Sequence, residues 1–381
     1  MTSLEEARAW LTLTLNPKLT AANLRLLLAR YGLQEEVLAQ PRSRVAAELG
    51  EAIAAALATP PAEALLDAAL AWLAQPNHHL LTLTSPGYPK TLLDLADPPL
   101  VLFVVGNPAL LNGDALAIVG ARRATAAGKA TARAFAEALA QAGVTVVSGL
   151  AQGIDAAAHE GAIARTVAVI GTGADRVYPA AHRQLAQRIA QHGAIVSEFP
   201  LGTPALPHHF PRRNRLIAAL ARGTLVVEAA VNSGSLITAR LAAELGRDVF
   251  AIPGSIHNPL AKGCHRLIRD GAKLVECVED ILEEWRWQTP PLPFTAHPSD
   301  TAAGNGEAVG VGASARQRTQ QPESTHRDDP LWQALGFDPV PFDALVARTG
   351  LSSSEVSARL LEWELEGRVA KLPGDCYQRL S

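Results

Sequence analysis

Residues 115–122, with the sequence ALAIVGAR, determine the fold that this chain is expected to adopt. The apolar run leads into a turn at Gly120, and a helical pattern follows. The same order recurs at residues 144–150 (VTVVSGL) and 225–235 (LVVEAAVNSGS). Such a strand–glycine–helix turn presents backbone N–H groups and the positive end of a helix dipole. The three turns therefore predict a surface that holds anions.

Strands and helices alternate regularly from residue 114 to residue 287. Most of the predicted strands are continuous apolar runs, as expected for parallel strands buried on both faces. We predict a Rossmann-like, doubly wound α/β domain over residues 77–287, with a mostly parallel sheet and a ligand crevice at the carboxyl ends of its strands. The predicted strands are 115–119, 144–148, 166–170, 194–199, 224–230, 248–252 and 273–276. Helices are predicted between them, including one over residues 213–222.

Two smaller domains and a linker account for the rest of the chain. Residues 1–76 show short stretches of helical periodicity and predict a small helical domain. Residues 288–329 lose periodicity and are rich in Pro, Gly, Ser and Thr, which predicts a flexible linker. Residues 330–381 predict three helices followed by a β-hairpin, the outline of a winged helix.

The composition excludes several classes of protein. The 381 residues carry a net charge of −3, so a nucleic-acid signal must be local. No run reaches the roughly 18 apolar residues of a membrane span, and the first residues do not resemble a signal peptide. The three cysteines form no C-x-x-C pair, which favours reduced thiols in a cytoplasmic protein. The histidines lack ligand spacing, and phosphate-binding fingerprints are absent, so we expect no metal and no cofactor.

The sharpest local signal is residues 210–215, FPRRNR. Residues 205–223 contain four arginines and no acidic residue. Arginine binds phosphate oxygens, and an aromatic ring such as Phe210 stacks a base, so the pattern favours single-stranded nucleic acid. The alternative is a core Phe210 beside a solvated helix start. The residues predicted to bind a strand or its phosphates are Gly120, Arg122, Arg123, Ser148, Gly149, Phe210, Arg212, Arg213, Asn214, Arg215, Ser233, Gly234, Ser235 and Lys262.

Three other side chains near the turns allow an alternative chemistry. Asp155 is placed to cap the helix after the second turn, with His159 one turn further on as a packed or surface residue. An acid–base pair of these two residues is the less favoured interpretation. Glu228 is the single acid near the end of the third strand. A nucleotide hydrolase would depend on Glu228 or Asp155.

Several motifs together resemble the DNA-processing protein A family (DprA, also called Smf). They include IVGAR at 118–122, VSGLAQGID at 147–155, FPRRNR at 210–215 and VEAAVNSGSLITAR at 227–240. The resemblance covers at least residues 80–285. It implies a single-stranded DNA-binding protein, not an enzyme, that protects incoming strands and loads RecA recombinase onto them during natural transformation. It also implies action against single-strand-binding protein, and a homodimer with Leu267 and Ile268 near its interface.

The terminal regions also resemble domains of this family. The amino-terminal region is similar to its sterile-alpha-motif-like or helix-hairpin-helix domain, and the carboxyl-terminal region to its winged helix. From Asp338 onward five basic residues face seven acids, so a protein contact or weak duplex binding is favoured over sequence-specific readout. Two alternatives to the DNA-binding function stay open. One is a hydrolase of the phosphoribohydrolase type, and the other is a scaffold that acts through protein contacts alone.

Overall fold

The computed structural model describes residues 3–285, 329–335 and 339–380. It divides the chain into two compact units, Met1–Ile281 and Leu282–Ser381. The predicted linker at 288–329 lies outside the described residues, apart from Asp329. The predicted boundary between residues 76 and 77 stays a prediction, because the first unit contains both regions.

The first unit begins with a helical layer and continues into an α/β sheet. The six helices of the layer are α1 (Leu4–Thr14), α2 (Ala21–Tyr31), α3 (Gln34–Leu38), α4 (Arg42–Leu49), α5 (Glu51–Leu57) and α6 (Glu63–Leu73). The strands are β1 (His78–Thr82), β2 (Val101–Gly106), β3 (Ala115–Val119), β4 (Thr145–Ser148), β5 (Thr166–Val169), β6 (Ala194–Ser197), β7 (Gly223–Val226), β8 (Asp248–Ala251) and β9 (Lys273–Leu274). The later helices are α7 (Ala126–Gln141), α8 (Ile154–Gly161), α9 (Arg183–His192), α10 (His209–Leu220), α11 (Ser235–Glu244), α12 (Lys262–Arg269) and α13 (Glu279–Glu284).

The nine strands form one sheet in the order β1-β2-β6-β5-β4-β3-β7-β8-β9. Strands β1 and β2 are antiparallel to their neighbours, and every pair from β6 to β9 is parallel. The prediction of a mostly parallel, doubly wound sheet is thus confirmed. The chain moves outward from β3 through β4 to β6, then crosses to β7 on the other side of β3. A doubly wound sheet binds ligands at this switch point, outside the strand ends.

Helices cover both faces of the parallel strands. Helix α7 packs on α8 and α8 on α9, while α10 packs on α11. The core beside α10 includes Leu216 and Ile217 of that helix together with Leu102 and Val104 of β2. Because side chains of a strand alternate between faces, Phe103 points the other way and packs with the amino-terminal helices. The helical layer therefore shares its core with the sheet.

The second unit is small and has its own core. Its elements are α14 (Pro330–Leu335), β10 (Val340–Pro341), α15 (Phe342–Thr349), α16 (Ser353–Leu365), β11 (Val369–Leu372) and β12 (Cys376–Arg379). The three strands form one antiparallel sheet in the order β10-β12-β11. Trp332 and Trp363 meet edge to face in the core. Three helices and a hairpin confirm the predicted winged helix.

Replacing Phe103 by alanine should destabilise the first unit by about 3–5 kcal/mol, because its side chain is 1% exposed between the helical layer and the sheet. The free energy of unfolding in urea, followed by circular dichroism, measures this loss. Leu26→Ala on the exposed side of α2 is the matched control and should change stability by less than about 0.5 kcal/mol. Similar values for the two variants would contradict the shared core.

Candidate functional site

A cavity of about 540 Å³ lies at the switch point, where the turns after β3 and β7 meet the first turns of α10. The structure brings nine of the fourteen predicted residues together in its lining. They are Gly120, Arg122, Arg123, Phe210, Arg213, Asn214, Ser233, Gly234 and Ser235. Asn232 and Thr238, which are outside the predicted set, also line it. We call this cavity the switch-point pocket.

The turn after β3 supplies cations to the pocket. The Ala121 amide donates to the Glu228 carbonyl at 2.7 Å, which fixes the turn to the end of β7. The side chains of Arg122 and Arg123 are exposed, and within residues 3–285 neither forms an ion pair. The Arg122 guanidinium lies over the Phe210 ring, 5.7 Å from its centre. The first turn therefore places two positive charges and a cation–π contact at the pocket mouth.

The turn after β4 differs from expectation, because its amide groups are not free. The carboxylate of Asp155 accepts hydrogen bonds from the Gly149 and Ala151 amides at 3.1 and 3.3 Å. The Leu150 amide donates to Nε2 of His159 at 3.2 Å. Asp155 caps the turn rather than helix α8. Side chains inside the protein have already satisfied the donors that were expected to hold phosphates.

Ser148 and Gly149 are buried supports of this turn. The Ser148 hydroxyl donates to the Ile118 carbonyl at 2.7 Å inside the sheet. A Cβ on Gly149 would collide with the guanidinium of Arg213, so a larger residue here would displace that side chain. Neither residue lines the switch-point pocket, which corrects their assignment as direct contacts.

Arg213 is buried at the inner end of the pocket, with a relative exposure of 4%. Its Nη1 donates to the Val169 carbonyl at 2.9 Å. Burial lowers the pKa of Arg213 to about 10, although the charge of Asp155 opposes this effect. Burial likewise raises the pKa of Asp155, against the opposing effect of Arg213. Each charge thus favours the charged form of the other. Through its packing on Gly149, Arg213 contacts the second turn as well as the pocket.

His159 is a buried neutral residue. Its Nδ1 lies 2.7 Å from the Thr166 hydroxyl, which donates to the Val146 carbonyl. Nδ1 therefore carries the proton, and Nε2 accepts from the Leu150 amide. Burial lowers the pKa of His159 to about 3. A base with this pKa is held for packing and positioning, in agreement with the favoured interpretation of the sequence.

Helix α10 separates residues that the sequence grouped together. The helix begins at His209, four residues earlier than predicted, so FPRRNR lies on its first two turns. With 3.6 residues per turn, Phe210, Arg213 and Asn214 share the face that lines the pocket. Arg212 and Arg215 lie on another face and contact Glu198. The basic cluster is therefore split, and its alternate arginines have different roles.

Glu198 forms the centre of that second contact. Its side chain is 3% exposed and pairs with the guanidinium of Arg215, which also donates to the Asp97 carbonyl at 2.9 Å. Nε of Arg212 lies 3.3 Å from the other carboxylate oxygen. Burial raises the pKa of Glu198, and the two arginines oppose the shift. Arg212 and Arg215 therefore anchor α10, and their assignment as strand contacts stays a prediction.

The turn after β7 is open at the start of α11. The Ser233 and Ser235 hydroxyls lie 2.7 Å apart, and the Ser235 amide donates to the Ser233 hydroxyl at 3.3 Å. A Cβ placed on Gly234 would meet nothing within 4 Å. The Leu236 and Ile237 amides donate to the Ser233 and Gly234 carbonyls, each at 3.1 Å. This turn therefore offers the cavity its two serine hydroxyls, while these amides are engaged within the turn.

Glu228 lies just beyond β7, and both of its carboxylate oxygens are engaged. One accepts from the Thr125 amide at 2.9 Å and the other from the Thr125 hydroxyl at 2.6 Å. Gly128 in the first turn of α7 packs directly against the carboxylate. Glu228 thus satisfies the positive end of α7.

The remaining predicted residues lie outside the pocket. Lys262 is exposed at the start of α12 and does not line the switch-point pocket, although the nearby Leu260 does. Leu267 and Ile268 of α12 are partly buried and pack against the main core. Their assignment to a dimer interface stays a prediction. Among the described residues, no cluster of metal-ligating side chains is found, and none of the helices is long and apolar enough to cross a membrane.

In the second unit, α16 is the candidate recognition helix. Its arginine, Arg359, is paired with Asp329 at 2.7 Å. Leu361 and Leu365, one turn apart, are 57% and 81% exposed, and Glu362, Glu364 and Glu366 alternate with them. An apolar and acidic surface of this kind opposes duplex readout and suits a protein contact.

The fold and the pocket define an α/β protein with a cationic, aromatic-lined ligand site at the switch point of its sheet. Residues 79–286 match the model of the family described as DNA recombination-mediator protein A. Residues 315–375 match the DprA winged helix domain. The chain belongs to the DNA recombination-mediator protein A family, as the sequence motifs predicted.

Individual relatives agree. The chain is similar to Protein Smf of Escherichia coli, with 43% identity over 83% of this chain and 81% of the relative. It is also similar to DNA processing protein DprA of Streptococcus pneumoniae, with 46% identity over 52% of this chain and 72% of the relative. The crystal structure of that pneumococcal protein aligns with a TM-score of 0.62 and 37% identity over 71% of this chain and 95% of the other.

A second solved structure is DNA processing protein A from Helicobacter pylori, whose title describes a single-stranded DNA binding mode. It aligns with a TM-score of 0.51 and 31% identity, over 55% of this chain and 96% of that protein.

The buried state of His159 predicts a pH dependence of stability. Its pKa is about 3 in the folded protein and about 6.5 in the unfolded chain. Between these values the unfolded chain binds more protons, so the free energy of unfolding falls as the pH is lowered. In His159→Gln the slope should be shallower by up to about 1.4 kcal/mol per pH unit. Urea unfolding at pH 7, 6, 5 and 4 measures both slopes, and identical slopes would refute the buried neutral imidazole.

Proposed function

We propose that this chain is a single-stranded DNA-binding recombination mediator that carries out no catalysis itself. In this role it protects incoming strands and loads RecA recombinase onto them during natural transformation. The observation that carries the proposal is the switch-point pocket, where an aromatic ring, two serine hydroxyls and two arginines that form no ion pair within residues 3–285 meet. Membership of the recombination-mediator family supports it, as does the single-stranded DNA binding described for the Helicobacter pylori relative.

The chemistry of the pocket suits a DNA strand. Arg122 and Arg123 would bind phosphodiester oxygens, since a guanidinium offers paired donors at the spacing of phosphate oxygens. The Ser233–Ser235 turn would bind a further phosphate at the start of α11. A base would stack against Phe210 or the guanidinium of Arg122 that lies over it. Asp155, the acid in the lining, directs its carboxylate to the second turn and leaves the pocket cationic.

The proposed contact set is narrower than the one derived from the sequence. Direct contacts come from Gly120, Arg122, Arg123, Phe210, Asn214, Ser233, Gly234 and Ser235. Arg213 would act from beneath, where it packs on Gly149 of the second turn. Ser148 and Gly149 would support that turn, and Arg212 and Arg215 would hold helix α10. Lys262 would contact only a strand that extends beyond the cavity.

The remaining partners follow from the same proposal. RecA and single-strand-binding protein would be the protein partners on the bound strand. A homodimer would form through the sheet domain, with Leu267 and Ile268 near the contact. The acidic and apolar face of α16 supports a protein contact for the winged helix. The function would be carried out in the cytoplasm, where the recombinase and the incoming strand meet.

Removing the guanidinium of Arg122 should weaken binding to every single-stranded sequence alike, because it contacts the backbone. Arg122→Ala should also reduce the salt slope of log K by about 1. Fluorescence anisotropy with oligo-dT and a mixed-sequence oligomer, from 50 to 300 mM salt, measures both effects. The matched control is Arg133→Ala, which removes an equal charge from an arginine on α7 paired with Glu160 outside the pocket. If the affinity and the salt slope of Arg122→Ala equal those of the wild type, the assignment of the pocket is refuted.

The hydrolase alternative has a direct test. Because both oxygens of Glu228 bind Thr125, the carboxylate is committed to α7, and we expect no release of base from nucleoside monophosphates. Glu228→Gln should instead lower the free energy of unfolding by about 1–2 kcal/mol through loss of a charged cap. Base release by the wild-type protein that disappears in Glu228→Gln, measured by liquid chromatography, would establish the hydrolase.

A further inference from the structure

Tyr178 lies beside the switch-point pocket but is outside the residues that line it. Its ring centre is 5.6 Å from that of Phe210, with an angle of 42° between the planes. This distance is typical of aromatic pairs in contact. Tyr178 is 50% exposed, although the ring of Phe210 packs against it. A large ring held by a neighbour with half of its surface in water offers a free face next to the pocket.

The loop that carries Tyr178 is fixed at several points. The Arg176 amide donates to the Gly173 carbonyl at 3.0 Å, and the Thr172 hydroxyl donates to the Arg176 carbonyl at 3.1 Å. The Asp175 carboxylate accepts from the Gly202 amide at 2.8 Å. On the far side, Nδ1 of His182 lies 2.9 Å from the Leu150 carbonyl. The ring is therefore positioned in advance, which lowers the entropic cost of stacking a ligand on it.

Phe210 is less available than Tyr178. Its ring is half-buried, because Arg122 lies over it and Gly171 packs against its edge. One aromatic face at the pocket is thus shared with a guanidinium, while the ring next to it is open. Near Tyr178 in the sequence, the Arg176 guanidinium lies 3.9 Å from the Asp175 carboxylate, and Arg183 is exposed at the start of α9.

We propose that Tyr178 forms a second base-stacking site next to Phe210. The inference rests on the proposed single-stranded DNA binding and deepens it. The strand leaves the pocket across Tyr178, so two bases stack on neighbouring platforms, one at Phe210 with Arg122 and the next on Tyr178. The ligand recognised there is a nucleobase of any identity, because every base has a π-face.

The test uses the full chain and the shortest dT oligomer that retains full affinity. Tyr178→Leu keeps the apolar bulk but removes the ring. It should weaken binding roughly 5- to 150-fold, which corresponds to the loss of one stacked base. Tyr178→Phe keeps the ring and should bind as the wild type does. Val177→Ala, a change at the neighbouring exposed residue, controls for disturbance of the loop. Thermal unfolding of each variant checks that the fold is intact.

A second measurement locates the site on the strand. A single abasic residue is placed at successive positions of the dT oligomer, and its effect on affinity is compared between proteins. The wild type should be sensitive at two positions, and Tyr178→Leu should lose the sensitivity at one of them. This second measurement also tests the wild-type protein without any substitution.

The outcomes separate this inference from the function on which it rests. If Arg122→Ala binds the dT oligomer more weakly while Tyr178→Leu binds it as the wild type does, the second stacking site is refuted and DNA binding stands. If Tyr178→Phe is as weak as Tyr178→Leu, the hydroxyl rather than the ring is responsible and stacking is refuted. If the wild type itself does not bind oligo-dT, both proposals are wrong.

Discussion

The contacts that buried Asp155 and Arg213 make with the second turn are the constraint on which the switch-point pocket depends. The Asp155 carboxylate accepts hydrogen bonds from amides of the second turn, and the Arg213 guanidinium packs directly on Gly149. Removing either partner would leave an uncompensated charge inside the protein, which is strongly destabilising. The second turn and helix α10 are thereby locked together, and the first and third turns are arranged around them.

Helix α10 converts this constraint into a division of labour. One face carries Phe210 and Asn214 to the pocket, and another carries Arg212 and Arg215 to Glu198. The contacts on the second face hold the helix against the residues before β2, so the first face stays in place. A group of arginines that looks like one binding surface is therefore largely structural, with Arg213 buried beneath the pocket and Arg212 and Arg215 paired with Glu198.

The architecture could be predicted because it is encoded locally. Buried parallel strands are continuous apolar runs, and Gly120, Gly149 and Gly234 follow three of them in turns. The site was predicted less completely, because its details depend on side-chain pairings that the spacing of residues does not specify. The amides of the second turn are satisfied by Asp155 and His159, and Arg215 is paired with Glu198, seventeen residues earlier. Placing the start of α10 at residue 213 rather than at His209 also hid the periodicity that separates its arginines.

Tyr178 is a residue whose place beside the pocket could not be predicted from the sequence around it. The sequence gives it as one aromatic residue in a turn, with a proline after it and no basic cluster beside it. Its proposed stacking role depends on β5 and α10, which bring its loop and Phe210 together across 32 residues of chain. The sequence signal for this residue is an aromatic side chain within a turn, and that pattern is too common to indicate a function.

The cap that Glu228 places on α7 has a consequence for ligand selection. In doubly wound proteins that bind nucleotides, the helix after the first strand of the switch point holds a phosphate group. Here the protein supplies its own anion to the corresponding helix, from the end of the adjacent strand β7. A free nucleotide would have to displace a built-in competitor to occupy that position. Under the proposed function, this cap would disfavour small free nucleotides and favour a ligand that gains its affinity from many phosphates in succession.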